Sequence, residues 1–212
     1  MERLDEALKM IDSLRGDEPL EYIKKTLLEA YALDNDCLDA MTLYSRSLYD
    51  TDKEGLLSKI LDDRSDIDTR KDDIMTRQYM RMLYELYNTY KDQGKLPLAL
   101  KLAHRIYSMK GDIFDIESEI YALEAYFDKE HSVTCTKDVR LLIDIIYDYE
   151  RSIPCLSKVA ALKKMMPALD DILDDKEADD EEHFRTAELL RKYAYYINRV
   201  PGVISYLRKS DV

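Results

Sequence analysis

The sequence predicts an all-α protein built from antiparallel helical hairpins, and three observations indicate this fold class. The 212 residues include only five Gly and five Pro, and they are rich in Leu, Ala, Glu, Lys, Met and Tyr, most of which favour helices. Alternating runs of Val, Ile and Thr, which a β-sheet would need, are absent. Apolar residues recur instead at three- and four-residue spacing, which places them on one face of a helix.

The first 73 residues predict two helical hairpins and a long polar connection. Residues 3–14 have the pattern of a helix, and Gly16 and Pro19 follow it as a turn. Residues 20–48 predict a second helix, a short turn at Asp34 and Asn35, and a third helix. The next elements are a short amphipathic helix over 54–63 and the polar stretch DRSDIDTRKDD over 63–73.

The clearest hairpin spans residues 78–111 and turns at Gly94. Glycine adopts positive φ without a steric penalty, so we expect Gly94 to reverse the chain and Gly111 to end the second helix. Pro97 fits the first turn of that helix, where its missing N–H costs nothing. Two apolar stripes define the pair of helices, namely Met80, Leu83, Leu86, Tyr87 and Tyr90 before the turn, and Leu96, Ala99, Leu102, Ala103 and Ile106 after it.

The segment LYELYNTYKDQGKLPLALKLAHRIYSM resembles a tetratricopeptide repeat. Leu83 stands at the large position of the family's first helix, and Gly94 stands at its turn. Ala99 stands at the small position where the two helices touch. Tyr87 and Gly111 depart from the pattern, because the family has a small residue at the first position and often a proline at the second. The hairpin also has the period of about 34 residues that is typical of this repeat.

More narrowly, TRQYMRMLYELY is similar to the repeat region of the suppression-of-tumorigenicity protein 7 family and of its bacterial relatives. In that motif a proline stands where this chain has Gln78. The broader resemblance implies hairpins stacked as a tetratricopeptide-like α-α superhelix, or solenoid. It also implies that the first helices of the hairpins line a concave binding groove.

The carboxyl-terminal half predicts helices that are too irregular to assign to repeats. Pro154 and the pair Pro201 and Gly202 punctuate this part, and the irregular helices extend over 113–210. Because no low-complexity linker divides the chain, we expect a single repeat domain over 1–212. The predicted helices are 113–127, 139–150, 155–173, 181–198 and 203–209.

Composition excludes several classes of protein. The amino terminus MERLDEALK is acidic where a secretory signal needs basic residues and an apolar run, and no run of 18 apolar residues occurs, so we expect a cytoplasmic protein outside the membrane. Cys37, Cys135 and Cys155 form no CxxC pair, which predicts buried or half-buried thiols rather than a disulfide or zinc site.

Charge and motifs also argue against nucleic-acid binding and catalysis. The net charge of −12 is concentrated in DDILDDKEADDEE at 170–182, which we interpret as a solvated loop followed by a helix start, and no basic cluster suits nucleic acid. His104, His131 and His183 lack a second ligand at helical spacing. The chain has no phosphate-binding glycine loop and no GxSxG motif. We therefore expect no enzyme, metal or cofactor.

The strongest functional prediction is a partner-binding strip on the first helices of two hairpins. Aromatic and long basic side chains suit a peptide or a partner helix with acidic and apolar residues. A protein-interaction scaffold is the first hypothesis. A regulatory sensor for a small peptide or metabolite, and a self-associating structural protein that forms homo-oligomers, stay open as alternatives. The predicted strip consists of Arg46, Tyr49, Arg81, Tyr84, Asn88 and Lys91.

Overall fold

The computed structural model describes residues 2–174 and 180–209, and every regular element in these ranges is an α-helix, which confirms the all-α prediction. The chain divides into two compact units, 1–116 and 117–212. Each unit is described by itself, and a single repeat domain over 1–212 stays a prediction. None of the described helices combines the length and the apolar character that crossing a bilayer requires.

Unit 1 is a series of helices in which neighbours along the chain pack together. Contacts join α1 to α2, α2 to α3, α3 to α4, α4 to α5 and α5 to α6, and α3 also contacts α5. The apolar stripes predicted for these helices form the core, and Leu57, Leu83 and Ile106 are fully buried. The helices are α1 (Glu2–Asp12), α2 (Leu20–Leu33), α3 (Leu38–Ser45), α4 (Asp50–Asp63), α5 (Ile74–Asp92) and α6 (Leu96–Lys110).

Gly94 forms the predicted turn between α5 and α6. Its φ is +71°, in the left-handed region, and Gly111 at the end of α6 has φ +69°. The N–H of Lys95 donates to the carbonyl of Tyr90 at 2.8 Å, and the N–H of Gly94 donates to that of Lys91 at 3.0 Å. These two bonds form a Schellman motif, which satisfies the last carbonyls of α5 and reverses the chain.

Polar contacts that keep the same sequence offset show that helices α3 and α5 run parallel. The side chain of Gln78 accepts a hydrogen bond from the N–H of Asp39 at 2.8 Å, and Arg46 donates to Glu85 at 3.0 Å. Both pairs are 39 residues apart. The first contact also caps α3, whose own N-cap residue, Cys37, makes no side-chain cap bond.

Unit 2 is organised around α8, which contacts α9, α12 and α13. Its apolar face, which includes Leu142, Ile143 and Ile146, is buried. On its polar side Lys158 of α9 donates to Asp148 at 2.6 Å. The helices are α7 (Ile116–Tyr126), α8 (Lys137–Glu150), α9 (Leu156–Met165), α10 (Leu169–Leu173), α11 (Glu181–Lys192), α12 (Ala194–Arg199) and α13 (Val203–Lys209).

Two predicted helices of unit 2 are interrupted. The helix expected over 155–173 ends at Met165 and resumes as α10, because Pro167 disfavours helical dihedrals at Met166, which has φ −132° and ψ 74°. The helix expected over 181–198 is divided at Tyr193, which has φ −96° and ψ 11°. Hydrogen bonds continue through this second break, since Tyr193 donates to Leu189 and accepts from Ile197.

We expect Gly94→Ala to lower the free energy of unfolding by about 1 kcal/mol, because an L side chain is strained at this positive φ. No atom lies within 4 Å of a Cβ at this position, so the loss would come from the backbone alone. Gly55 within α4 is the matched control, as its Cβ would also meet open space. There alanine should stabilise by roughly 0.5–1 kcal/mol. Urea unfolding of both variants measures the difference, and equal shifts would contradict the assigned turn.

Candidate functional site

All six residues of the predicted strip lie in unit 1. Arg81, Tyr84, Asn88 and Lys91 are on α5. Arg46 is the C-cap residue of α3, and Tyr49 is the N-cap residue of α4. Tyr49 is 86% exposed, whereas Tyr84, Asn88 and Lys91 are half-buried.

Arg81 joins α5 to α3. Its Nε and Nη2 atoms donate to the two carboxylate oxygens of Asp39 at 2.9 and 2.5 Å. This bidentate geometry matches the planar guanidinium to the carboxylate and orients both side chains. Arg81, one of the predicted binding cations, therefore also links two helices of the fold.

Arg46 has a similar structural role through its contact with Glu85, which the sequence pattern places among the polar positions of α5. Glu85 is only 9% exposed. It binds Arg46 of α3 at 3.0 Å and Lys53 of α4 at 2.7 Å, so one carboxylate holds three helices together. Burial raises the pKa of Glu85, but the hydrogen bonds from Lys53 and Arg46 outweigh it, and the pKa is lowered overall.

Tyr84 belongs to a stack of aromatic rings rather than standing alone. Its ring centroid lies 4.6 Å from that of Phe114 and 5.6 Å from that of Tyr87. The amine of Lys91 lies 5.4 Å from the centroid of the Tyr87 ring, within the range of a cation–π contact. Tyr87, which stands where the repeat family has a small residue, is fully buried.

A small apolar cavity of about 260 Å³ lies beside this stack, and we call it the Phe114 pocket. The sequence alone does not reveal this pocket. Part of its wall is formed by the segment after Gly111, for which the sequence pattern predicts only the start of another helix. The signal available in the sequence was the apolar pair Ile113 and Phe114, which begins two residues after Gly111. The residues that line the pocket are Met80, Ile113, Phe114, Arg77, Arg81 and Lys110, together with Asp72 and Thr76.

The backbone at Phe114 is held in an unusual conformation. Phe114 has φ +58° and Asp115 has φ +54°, both in the left-handed region that L residues seldom adopt. Such a residue costs on the order of 1–3 kcal/mol and persists only where its surroundings enforce it. Here the stacking of Phe114 on Tyr84 supports the strained segment and leaves the Phe114 side chain 39% exposed at the pocket.

Three cations line the Phe114 pocket, and each already has an intramolecular acceptor. Arg77 donates to Asp72 at 3.1 and 3.2 Å, and Lys110 donates to the carbonyl of Lys71 at 2.7 Å. A guanidinium carries five N–H donors and an ammonium carries three, so each group retains donors after these bonds. The pocket therefore combines an apolar floor with cationic groups that can still bind carboxylates.

The cysteines and the possible metal ligands are the other residues whose chemistry the sequence brings into question. Cys37 and Cys155 are buried and Cys135 is half-buried, as predicted. Burial raises the pKa of Cys135 to about 11, which keeps this thiol protonated and weakly nucleophilic near neutral pH. Within 2–174 and 180–209, no group of three or more His, Cys, Asp or Glu is arranged to hold a metal ion.

The acidic run is described only at its two ends, because residues 175–179 lie outside the described ranges. Its predicted helix start is confirmed, since Asp180 is the N-cap residue of α11 and accepts from the N–H of His183 at 2.9 Å. The imidazole of His183 also lies 2.9 Å from Asp180 and 3.6 Å from Asp171 of α10. The hydrogen bond to Asp180 raises the pKa of His183.

We expect Glu85→Gln to lower the free energy of unfolding at neutral pH by on the order of 2 kcal/mol, because it leaves Lys53 without its carboxylate partner in a mostly buried position. The folded pKa of Glu85 is below its unfolded value, so its contribution is present above the unfolded pKa and is lost as the pH falls through the folded pKa. The gap between wild type and variant should therefore shrink at acid pH.

Thermal unfolding between neutral and acid pH measures this effect. Glu29→Gln is the control, because Glu29 forms an exposed pair with Lys25 within one helix. Such a pair contributes only about 0.3–0.5 kcal/mol. A constant difference between the Glu85 variant and wild type at all pH values would contradict the assigned ion pair.

Comparisons of the chain with protein-family models, with curated proteins and with solved structures found no match. The resemblance to tetratricopeptide repeats and to the suppression-of-tumorigenicity protein 7 family therefore stays a prediction.

Proposed function

We propose that this chain is a non-catalytic protein-interaction scaffold that binds an acidic, partly apolar peptide or helix at the Phe114 pocket. The single observation that carries this proposal is the combination at the pocket of a strained, half-open aromatic residue with three cationic side chains. Strained residues of this kind cluster at binding sites, where the surrounding structure holds them in place. An apolar floor with a few polar groups around it is also the usual form of a ligand site.

The parallel contact of α3 with α5 supports a tetratricopeptide-like arrangement of unit 1. In such an arrangement the first helices of successive hairpins lie side by side, and the constant offset of 39 residues along α3 and α5 fits that geometry. The offset exceeds the standard repeat, and the polar connection between α4 and α5 accounts for the additional residues. Continuation of the array as a solenoid beyond unit 1 is part of the same proposal.

The binding site that we propose keeps Arg81 and Tyr84 of the predicted strip and moves its centre toward Phe114. Arg46 is occupied by Glu85, so it contributes chiefly to the contact between helices. An apolar side chain of the partner would fill the pocket against Phe114, and a neighbouring carboxylate would bind the remaining donors of Arg77, Arg81 or Lys110. Tyr49, Asn88 and Lys91 remain candidates for the periphery of the same surface.

We also propose that the protein works in the cytoplasm. Its three cysteines are free and include no disulfide, as is typical of chains that function in a reducing compartment. Nucleic acid is not among the partners we propose, because each of the three cations at the pocket lies beside an acceptor within the fold.

Selection of random peptides displayed on phage against the purified chain tests this function. Enriched peptides should contain Asp or Glu next to Leu, Ile, Met or Phe, because both groups are needed to match the pocket. Arg77→Glu should weaken the binding of these peptides about tenfold, chiefly by slowing association, since it reverses a charge at the site.

Arg70→Glu is the matched control for Arg77→Glu. Both arginines are exposed and bind an aspartate a few residues away, but Arg70 does not line the pocket. Arg81→Glu is less informative, because it would also disrupt the contact with Asp39. Peptides that bind the Arg77 and Arg70 variants equally well, or a selection without acidic-apolar enrichment, would reject the proposed site.

A further inference from the structure

A second surface, in unit 2, has the chemistry of a peptide-binding site of a different kind. A cleft of about 540 Å³ lies between the end of α8 and the start of α13, and we call it the tyrosine cleft. Its walls come from the turn that follows α8 and from the turn that precedes α13. The residues that matter here are Tyr149, Glu150, Ile153, Pro154, Pro201 and Tyr206.

The two tyrosines form an aromatic wall. Their ring centroids lie 4.8 Å apart, and the ring planes are tilted by 38°. Both side chains are half-buried, so the rings are held by packing while part of each remains accessible. Ile153 is 47% exposed, and Pro154 and Pro201 are also exposed. The accessible lining therefore consists of aromatic, aliphatic and proline side chains. These side chains stand on elements that have little freedom to fold into the cleft.

The turns that border the cleft have enforced conformations. Ser152 has φ +59° and follows α8, where the N–H of Ile153 donates to the carbonyl of Asp148 at 2.7 Å. Gly202 has φ +89°, and a Cβ at this position would lie 2.8 Å from the hydroxyl oxygen of Tyr149. No real Cβ contact is that short, so the backbone of the second turn approaches Tyr149 as only glycine allows. The cleft is thus preorganised.

The charge at the cleft is negative. Among the residues that the structure describes, Glu150 is the one charged side chain that lines it, and it is exposed. The adjacent cation, Arg151, is directed elsewhere, since it donates to the carbonyl of Ala125 at 2.6 Å and binds Asp128 at 3.2 Å. A partner with a basic residue beside its apolar contact would therefore be favoured.

We propose that the tyrosine cleft binds a proline-rich segment in the polyproline II conformation that carries an adjacent Arg or Lys. Proline rings are apolar and rigid, and they dock on aromatic walls with little loss of conformational entropy. The basic residue binds Glu150. An amphipathic helix fits less well, because its anchors at i and i+7 are about 10 Å apart and need a long groove, whereas chain reversals border this cleft.

Fluorescence polarisation with the full chain and the labelled peptide Arg-Pro-Pro-Leu-Pro-Pro-Leu-Pro tests the proposal. This peptide should bind saturably. Replacement of its Arg by Glu should weaken binding about tenfold, and replacement of every Pro by Ala should remove measurable binding. Equal binding of the alanine peptide, or no saturable binding of the proline peptide, would overturn the proposal.

Two variants with matched controls locate the site. Ile153→Ser should weaken binding about fivefold or more, whereas Leu156→Ser should not, because Leu156 is similarly exposed at 53% but does not line the cleft. Glu150→Lys should abolish the preference for Arg over Glu in the peptide, and Glu130→Lys should leave it unchanged, since Glu130 is exposed outside the cleft. Equal losses in the variant and its control would place binding elsewhere and reject the assignment.

Discussion

The buried carboxylate of Glu85 is the constraint on which the arrangement of unit 1 depends. A nearly buried glutamate is costly unless cations compensate it, and here Arg46 and Lys53 do so from α3 and α4. Together with Asp39–Arg81 and the Gln78 cap, this pair holds α3 parallel to α5. Apolar packing alone tolerates sliding between helices, whereas these directional contacts define one register.

Because of this constraint, basic residues that the helical pattern assigns to exposed faces have a structural role within the fold. Long basic side chains on the polar side of an amphipathic helix look available for a partner, yet Arg46 and Arg81 pair with acids on adjacent elements. Their charge is largely neutralised within the fold. At the Phe114 pocket, which Arg81 also lines, a strained backbone keeps an aromatic ring half-open beside N–H donors that remain after these intramolecular bonds.

The turns that end several helices share one hydrogen-bond pattern, although their residues differ. Gly94, Asp128 and Ser152 each have positive φ after a helix, with the hydrogen bonds of a Schellman motif. Only the first of these is a glycine. Asp128 and Ser152 are both exposed, so the hydrogen bonds of the motif rather than burial accompany the left-handed backbone, and the turn at Ser152 borders the tyrosine cleft. Turns made by ordinary residues thus shape one of the two surfaces proposed for binding.

The sequence by itself determined the all-α class, the hairpins around Gly94 and around residues 34–36, the polar interruption before α5, and the state of the thiols. These features follow from local periodicity, glycine geometry and composition, which need no knowledge of distant residues. Only the tertiary structure decided that Glu85 and Gln78 are buried, that Arg46 and Arg81 are paired, and that Phe114 stands at a pocket. Each of these depends on residues that folding brings together, such as Arg46 with Glu85 or Tyr84 with Phe114. A helical pattern marks a position as polar, but it cannot show which opposite charge will face it.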